Sequence, residues 1–273
     1  MNYSFQQVDV FSSKACLGNP VCVFLESEGL STEQMQKIAR WTNLSETTFV
    51  SSSSRADYRV RIFTPGEELP FAGHPTLGTA WALRQAGIIS LEHCIQECDF
   101  GLVAIHYQNS QVYFELPHYS VEEINSDYET AAAVGLPVRD SLKITTGPRW
   151  IVAELPQGSL GDAKIDHAIF SKLMKSKQST GVTLYSIEGP NHVNVRTFFE
   201  SFTTIVEDPV CGSGNAAVAA HILATKKSHL VGKSYQAYQG SFVGRDGRIS
   251  VILGDKIQIG GACSTVFEGV ARI

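Results

Sequence analysis

The same series of segments occurs twice along this chain, and that repetition restricts the fold more than any single motif does. In the first half, Asn19-Pro20-Val21-Cys22-Val23-Phe24 resembles Gly147-Pro148-Arg149-Trp150-Ile151-Val152 of the second: a proline followed by an apolar strand. A helical stretch comes next in both. The first is Ser31 to Trp41, with Ser31 as N-cap and Met35, Ile38, Ala39 and Trp41 as its apolar face. The second is Asp166 to Met174, with Ile169, Phe170 and Leu173. Two strands of alternating pattern follow, Glu46 to Val50 and Tyr58 to Phe63, matched by Gly181 to Tyr185 and Val193 to Phe198. The offset between Glu46 and Gly181 and between Arg61 and Arg196 is 135 in both cases.

Each half then reaches a glycine turn and a helix with almost no polar face. These are Pro75 to Leu83 after Gly73-His74, and Asn215 to Leu223 after Gly212-Ser213-Gly214. A helix apolar on every side must be buried on every side. At this length neither reaches the roughly 20 residues of a membrane span, so each must be wrapped by its own sheet. Two strands close each half: Ile105 to Tyr107 with Val112 to Phe114, and Phe242-Val243 with Ile249 to Ile252 around an Asp246-Gly247 hairpin turn. The expected architecture is α+β: two pseudo-symmetric lobes, each a curved mixed sheet around a central buried helix. Residues 1–118 form the first lobe, which can also take in the extreme C-terminal strand, and 119–273 form the second. The polar stretch Pro117 to Asp127 is the expected linker.

The 273 residues carry a formal net charge of −5 and no Lys/Arg run, which argues against a nucleic-acid partner. The first residues lack the basic and apolar regions of a secretion signal, and no apolar run is long enough for a membrane helix, so a cytoplasmic location is expected. Six cysteines are scattered through the chain. Cys94 and Cys98 have no second ligand pair at zinc spacing, and read as buried strand residues; no metal site is expected.

The two glycine turns are the candidate site. A helix start presents unpaired N–H groups and positive dipole charge, which suits an anion such as a carboxylate. The plainer reading of Gly73 and Gly212 is that they permit tight turns. His74, Asp208 and Ser213 gather beside them in sequence, although His74 could serve as a helix cap and Asp208 could set the turn at Pro209. Glu46 aligns with Gly181, so the halves are chemically unequal. Two other motifs fail. Gly212-Ser213-Gly214-Asn215-Ala216-Ala217 fits a loose dinucleotide pattern, but no acidic residue follows about 20 positions later. A Ser213/His74/Asp208 hydrolase triad lacks the G-x-S-x-G elbow.

In combination these segments resemble the PhzF-like family of phenazine-biosynthesis isomerases over nearly the whole chain. The resemblance rests on Val8-Asp9-Val10-Phe11, Gly18-Asn19-Pro20, Leu44 to Phe49, Phe63-Thr64-Pro65, Glu68 to Thr76, Glu207 to Val210, Gln239-Gly240, Gly244 to Gly247 and Gly260-Gly261-Ala262. It implies a diaminopimelate-epimerase-like fold, shared with proline racemase, and an isomerase that moves a proton on a small, carboxylate-bearing, cyclic amino-acid-like molecule without a cofactor. In the phenazine enzyme that molecule is a dihydro-hydroxyanthranilate. It implies Glu46 as acid/base, His74 and Asp208 as the groups that hold and polarise the substrate, and Gly73, Gly212 and Ser213 as a backbone anion cradle. Asn19 and Ser45 are further contacts, and a homodimer is the family's implied assembly. A carboxylate enclosed between two lobes with Asp208 near is expected to have a raised pKa.

Relatives on this fold invert a stereocentre with one cysteine per lobe. Here Cys211 occupies the second position, where Thr is more usual in PhzF-like chains, and Ala72 the first. A two-thiol racemase is therefore disfavoured, while a lone role for Cys211 stays open. So does a catalytically silent binding or regulatory protein on the same fold. The cleft lining is expected to depend on the loops Ser51 to Asp57 and Glu200 to Thr204.

Overall fold

A computed structural model describes residues 1–90, 92–201 and 204–273. The chain runs β1 (Asn2–Val10), β2 (Asn19–Phe24), α1 (Thr32–Thr42), β3 (Glu46–Ser51), β4 (Tyr58–Phe63), β5 (Glu68–Leu69), α2 (Gly73–Gln85), β6 (His93–Cys98), β7 (Gly101–Gln108) and β8 (Gln111–Glu115). It continues through β9 (Ser120–Glu123), α3 (Asp127–Val134), β10 (Arg139–Thr145), β11 (Arg149–Glu154), α4 (His167–Lys177), β12 (Gly181–Gly189), β13 (His192–Ser201) and β14 (Thr204–Asp208). It ends with α5 (Gly212–Ala224), α6 (Ser228–Val231), β15 (Ser234–Gln239), β16 (Gly247–Leu253), β17 (Ile257–Gly261) and β18 (Cys263–Arg272).

Two compact units result: Met1–Glu115 with Gly260–Ile273, and Leu116–Ile259. The first break thus lies at 115/116 where the sequence suggested 118/119. The last fourteen residues sit with the first unit because β18 pairs antiparallel with β1 from Asn2↔Arg272 to Val10↔Cys263. The expected linker is partly structured: Ser120–Glu123 is the exposed strand β9, paired with β10, and Asp127 opens α3.

In the first unit, β18, β1, β2, β3 and β4 lie side by side, with β2 and β3 parallel and the other neighbours antiparallel. One end of β4 takes β5 antiparallel and the other takes β6 parallel. In the second unit, β11 and β12 are parallel, β12 and β13 are antiparallel, and β13 takes β14 antiparallel at one end and β15 parallel at the other. The repeat holds residue by residue. Glu46 pairs with Val21 where Gly181 pairs with Trp150, and Phe49↔Arg61 corresponds to Leu184↔Arg196. Val21 therefore corresponds to Trp150, one residue away from the match that aligning the two prolines suggests. A one-residue slip turns every side chain of a strand to the other face, so pairing decides the alignment and the prolines do not.

Helices α2 and α5 are thirteen residues each, and ten residues of each are buried. α2 packs on β1, β2, β3 and β8, and α5 on β10, β11, β12 and β16, so each is enclosed by strands of its own unit. Helix α1 starts on a Ser31–Gln34 capping box and buries Met35 and Ala39 against Phe24, Phe49 and Phe63. Trp41 is 85% exposed, contrary to the expected face. At 100° per residue it lies about 200° round from Ala39 and points outward. Asp166 caps α4, which buries Phe170, Leu173 and Met174 while Ile169 stays at the surface.

Other expectations shift locally. Phe242-Val243 belong to a 3₁₀ turn rather than a strand; the strand partner of β16 is β15, and Gly247 is already in β16. Within the expected loop Glu200 to Thr204, Phe202 and Thr203 lie outside the described residues, while Glu200, Ser201 and Thr204 are strand.

Each half also grips the turn before its buried helix with an Arg–Glu pair. Arg61 donates from Nε and Nη2 to Glu68 at 2.6 Å each. Arg196 donates from Nε at 3.1 Å and Nη2 at 2.7 Å to Glu207, and from Nη1 to the carbonyls of Leu160 and Ala163. Its guanidinium also lies over the rings of Phe198 and Phe242, at 4.8 and 4.3 Å.

Candidate active site

The first unit brings Asn19, Ser45, Glu46 and His74 together. Glu46 opens β3, and its neighbour Ser45 donates to Asn19 Oδ1 at 3.4 Å from the start of β2. His74 is the second residue of α2, directly after Gly73. Its Nε2 lies 3.4 Å from Glu46 Oε2, with side-chain exposures of 7% and 15%. The two atoms are close enough for an ion pair, yet they make no hydrogen bond, and neither has a hydrogen-bond partner among the described residues. Buried polar atoms are nearly always paired, because leaving one without a partner costs roughly 1–3 kcal/mol. A carboxylate oxygen and an imidazole nitrogen left in this state can each still take a hydrogen-bond partner.

The scaffold holds this pair firmly. Thr48 on β3 and Thr79 on α2 share a buried hydroxyl contact of 2.9 Å, which fixes the strand to the helix two residues beyond Glu46. Tyr58 donates to Gln96, and Gln96 donates to Thr76 in the first turn of α2. The N–H groups of Gly73 and His74 begin the helix without intrahelical acceptors, and Pro75 has no N–H. Asp9 is a residue whose role the sequence reading missed. Its buried carboxylate accepts the N–H groups of Leu17 and Gly18, both at 2.8 Å, and so fixes the segment that delivers Asn19. A lone acid between two apolar residues, Val8 and Val10, was the signal. The loop after Ser51 is tied down too: Ser53 donates to Glu97, and Asp57 accepts from the Ile95 N–H.

The second unit gathers Asp208, Cys211, Gly212 and Ser213 at the start of α5. Asp208 ends β14 and its Oδ1 accepts the Val210 N–H at 3.0 Å, so it does set the turn at Pro209. Cys211 is the N-cap, its sulfur accepting the Gly214 N–H at 3.3 Å. Ser213 is committed to the scaffold, since its hydroxyl accepts from Trp150 Nε1 and its carbonyl accepts from Thr146. Gly212 and Ser213 keep the two N–H groups that α5 leaves unpaired.

Burial pushes the Cys211 thiol well above its ordinary pKa, and the charge of Asp208 adds to this. Burial thus favours the neutral thiol over the thiolate. All six cysteines are free. Cys94 and Cys98 are buried in β6, as the sequence suggested, and burial pushes Cys94 up to about 12.

The second unit also contains a cavity of about 480 Å³, lined by Leu160, His192, Tyr238, Phe242 and Arg245 among others. None of the predicted site residues lines it. The unpaired atoms of Glu46 and His74 are the better guide to the chemistry, because they identify groups that require a partner. No helix among the described residues is long and apolar enough to cross a membrane. Among the same residues, no group of three or more His, Cys, Asp or Glu could hold a metal ion.

The family model for phenazine biosynthesis-like proteins (PhzC-PhzF) matches residues 8–269. The chain belongs to this family. It is 35% identical to antisense-enhancing sequence 1 of Schizosaccharomyces pombe, over 99% of both chains. It is 34% identical to the trans-2,3-dihydro-3-hydroxyanthranilate isomerase of Pseudomonas aeruginosa, over 89% of this chain and 87% of that one. Among solved structures, the PhzF-family phenazine biosynthesis protein of Bacillus anthracis superimposes with a TM-score of 0.85 at 25% identity, with both chains fully covered. A probable proline racemase from Agrobacterium radiobacter, at 14% identity and a TM-score of 0.70, shares the fold. The chain is thus a PhzF-like isomerase on the proline-racemase-like fold that the repeat and the resemblance implied.

Proposed function

We propose that this isomerase moves a proton within a small cyclic amino acid that carries a carboxylate, with Glu46 as base and then acid and with no cofactor. The observation that carries the reading is the buried pair of Glu46 Oε2 and His74 Nε2, 3.4 Å apart and without hydrogen-bond partners among the described residues. In the proposed step Glu46 takes a proton from a ring carbon, and the electron pair moves into the adjoining conjugated system. The same proton returns to another carbon, so nothing is gained or lost overall. His74 polarises the substrate, and the N–H groups of Gly73 and His74 lie at a helix start that favours negative charge. Asn19 and Ser45 supply polar contacts. The proposal keeps the substrate-holding roles that the family resemblance assigns to Asp208, Gly212 and Ser213. The substrate class follows from the relative named for trans-2,3-dihydro-3-hydroxyanthranilate, itself a cyclic amino acid.

The test is solvent-deuterium incorporation into that compound and a panel of cyclic amino acids, comparing wild type with Glu46→Gln. General acid–base catalysis contributes roughly 10²- to 10⁴-fold, and a loss of that size with ligand binding retained is expected. Near-normal exchange by Glu46→Gln would sink the mechanism. Binding without exchange by the wild type would identify a silent binding protein.

A further inference from the structure

The Asp208–Cys211 turn is held by two buried side-chain amides that no part of the proposed chemistry uses. Gln239, the last residue of β15, is 4% exposed, and Asn215, in the first turn of α5, is fully buried. Gln239 Nε2 donates to the carbonyl of Asp208 at 2.9 Å, and its Oε1 accepts from Asn215 Nδ2 at 2.8 Å. Asn215 Nδ2 also donates to the carbonyl of Cys211 at 2.9 Å.

The direction of this relay is forced. A backbone carbonyl only accepts, so the Gln239 atom facing Asp208 must be its NH₂ and the opposite one its oxygen. That oxygen in turn requires the NH₂ of Asn215, whose second proton goes to Cys211. The two amides therefore bind both ends of the turn, while the neighbouring strands press on its middle. Gly240 has φ +102°, and a Cβ there would lie 2.4 Å from the Pro209 carbonyl. A Cβ on Gly247 would lie 2.4 Å from a Val210 methyl. The Gln239-Gly240 and Asp246-Gly247 segments thus fit against the Asp208-Pro209-Val210 turn. In the first unit the counterpart of Asn215 is Thr76, which also meets a glutamine, but with the bond reversed: Gln96 Nε2 donates to Thr76 Oγ1 at 3.0 Å. Among the described residues, it is in the second unit that the bracing continues to the carbonyls of a turn.

We propose that Gln239, acting through Asn215, is a positioning residue that sets the Asp208–Cys211 turn and so presents the Asp208 carboxylate and the Gly212 and Ser213 N–H groups. The kinetic consequence rests on the substrate-holding role proposed above for these groups; the geometric one does not. The same relay keeps Cys211 enclosed, at 4% exposure, and that makes its thiol an internal reporter.

The experiment places Gln239→Leu in a Cys16→Ser background, which removes the exposed cysteine. Alkylation of each remaining cysteine is timed by mass spectrometry, and the exchange kinetics are measured on the same protein. Loss of the Gln239 bonds to the Asp208 carbonyl and to Asn215 should speed Cys211 labelling roughly tenfold or more through local opening, with Cys22, Cys94, Cys98 and Cys263 as protected as before. KM should rise while kcat changes little, because the groups displaced hold the substrate in ground and transition states alike. Cys211 labelling at the wild-type rate, or all five thiols speeding together, would overturn the proposal. If the wild type shows no exchange, the functional reading fails and the labelling still decides the positioning claim. Should Gln239→Leu fail to fold, Asn215→Thr, which copies Thr76 of the first unit, carries the same expectations.

Discussion

The two Arg–Glu pairs occupy equivalent places in the two units, yet their removal should differ in cost severalfold. The side chains of Arg196 and Glu207 are 10% and 8% exposed, and those of Arg61 and Glu68 are 24% each. Glu207→Ala leaves the Arg196 guanidinium charge between two aromatic rings and two backbone carbonyls, with little water to replace the carboxylate. Breaking a buried pair in this way costs roughly 3–5 kcal/mol. Arg61 can swing into solvent, so Glu68→Ala should cost about 1–2 kcal/mol. Calorimetry is the suitable assay, because two units need not melt as one. For a unit of this size roughly 2–4 °C is lost per kcal/mol, so Glu207→Ala should lower its transition by about 6–20 °C. The double change Arg196→Met with Glu207→Leu should recover much of that loss, since an apolar pair leaves no stranded charge. A cost for Glu68→Ala equal to that of Glu207→Ala, or a double change worse than the single one, would refute this difference between the pairs.

Two further outcomes are expected. His221 is buried in α5, with Tyr185 OH at 3.0 Å from its Nδ1 and Nε2 on the Asp140 carbonyl, and burial lowers its pKa. Unfolded chains bind this proton near the ordinary value of 6.5 and the folded chain resists it. The stability from keeping it neutral is therefore complete above about pH 6.5 and is lost as pH falls through the depressed value. The urea midpoint of the wild type should drop between pH 7.5 and 5.5, and His221→Gln should flatten that slope; an unchanged slope would refute the assignment. Gly214→Ala would place a Cβ 2.8 Å from Thr197 Oγ1, 3.0 Å from Thr183 Oγ1 and 3.1 Å from Cys211 Sγ. Such overpacking should cost about 1–3 kcal/mol in denaturant titration, and a neutral result would show that the first turn of α5 yields easily.

Much of this architecture was visible in the residues because the signals are local. Period-2 alternation and a constant offset located β3, β4, β12 and β13, and the lack of any polar face identified α2 and α5. The errors arose where tertiary packing decides. Trp41 is apolar but lies on the wrong side of α1. Pro148 looks like the partner of Pro20, though strand pairing matches Val21 with Trp150. Phe242 and Val243 look like a strand but form a turn whose phenylalanine covers Arg196. Glu46 and His74 were identified by resemblance, while their approach to 3.4 Å depends on the Thr48–Thr79 contact, which links residues 31 positions apart. Gln239 and Asn215 stood in quoted motifs without a role, because a relay to two carbonyls leaves no periodic trace.

The pairing of β18 with β1 bears on how the chain is made. Strand β1 emerges long before residues 263–272, and until they follow one of its edges is uncovered. In between, Leu116–Ile259 emerges as an uninterrupted stretch that contains its own buried helix and core. That unit should complete before the first one during translation, while residues 1–115 keep an uncovered strand edge until residues 263–272 emerge. A nascent chain stalled before residue 260 should show a protease-resistant second unit and a first unit that a strand-seeking chaperone still holds.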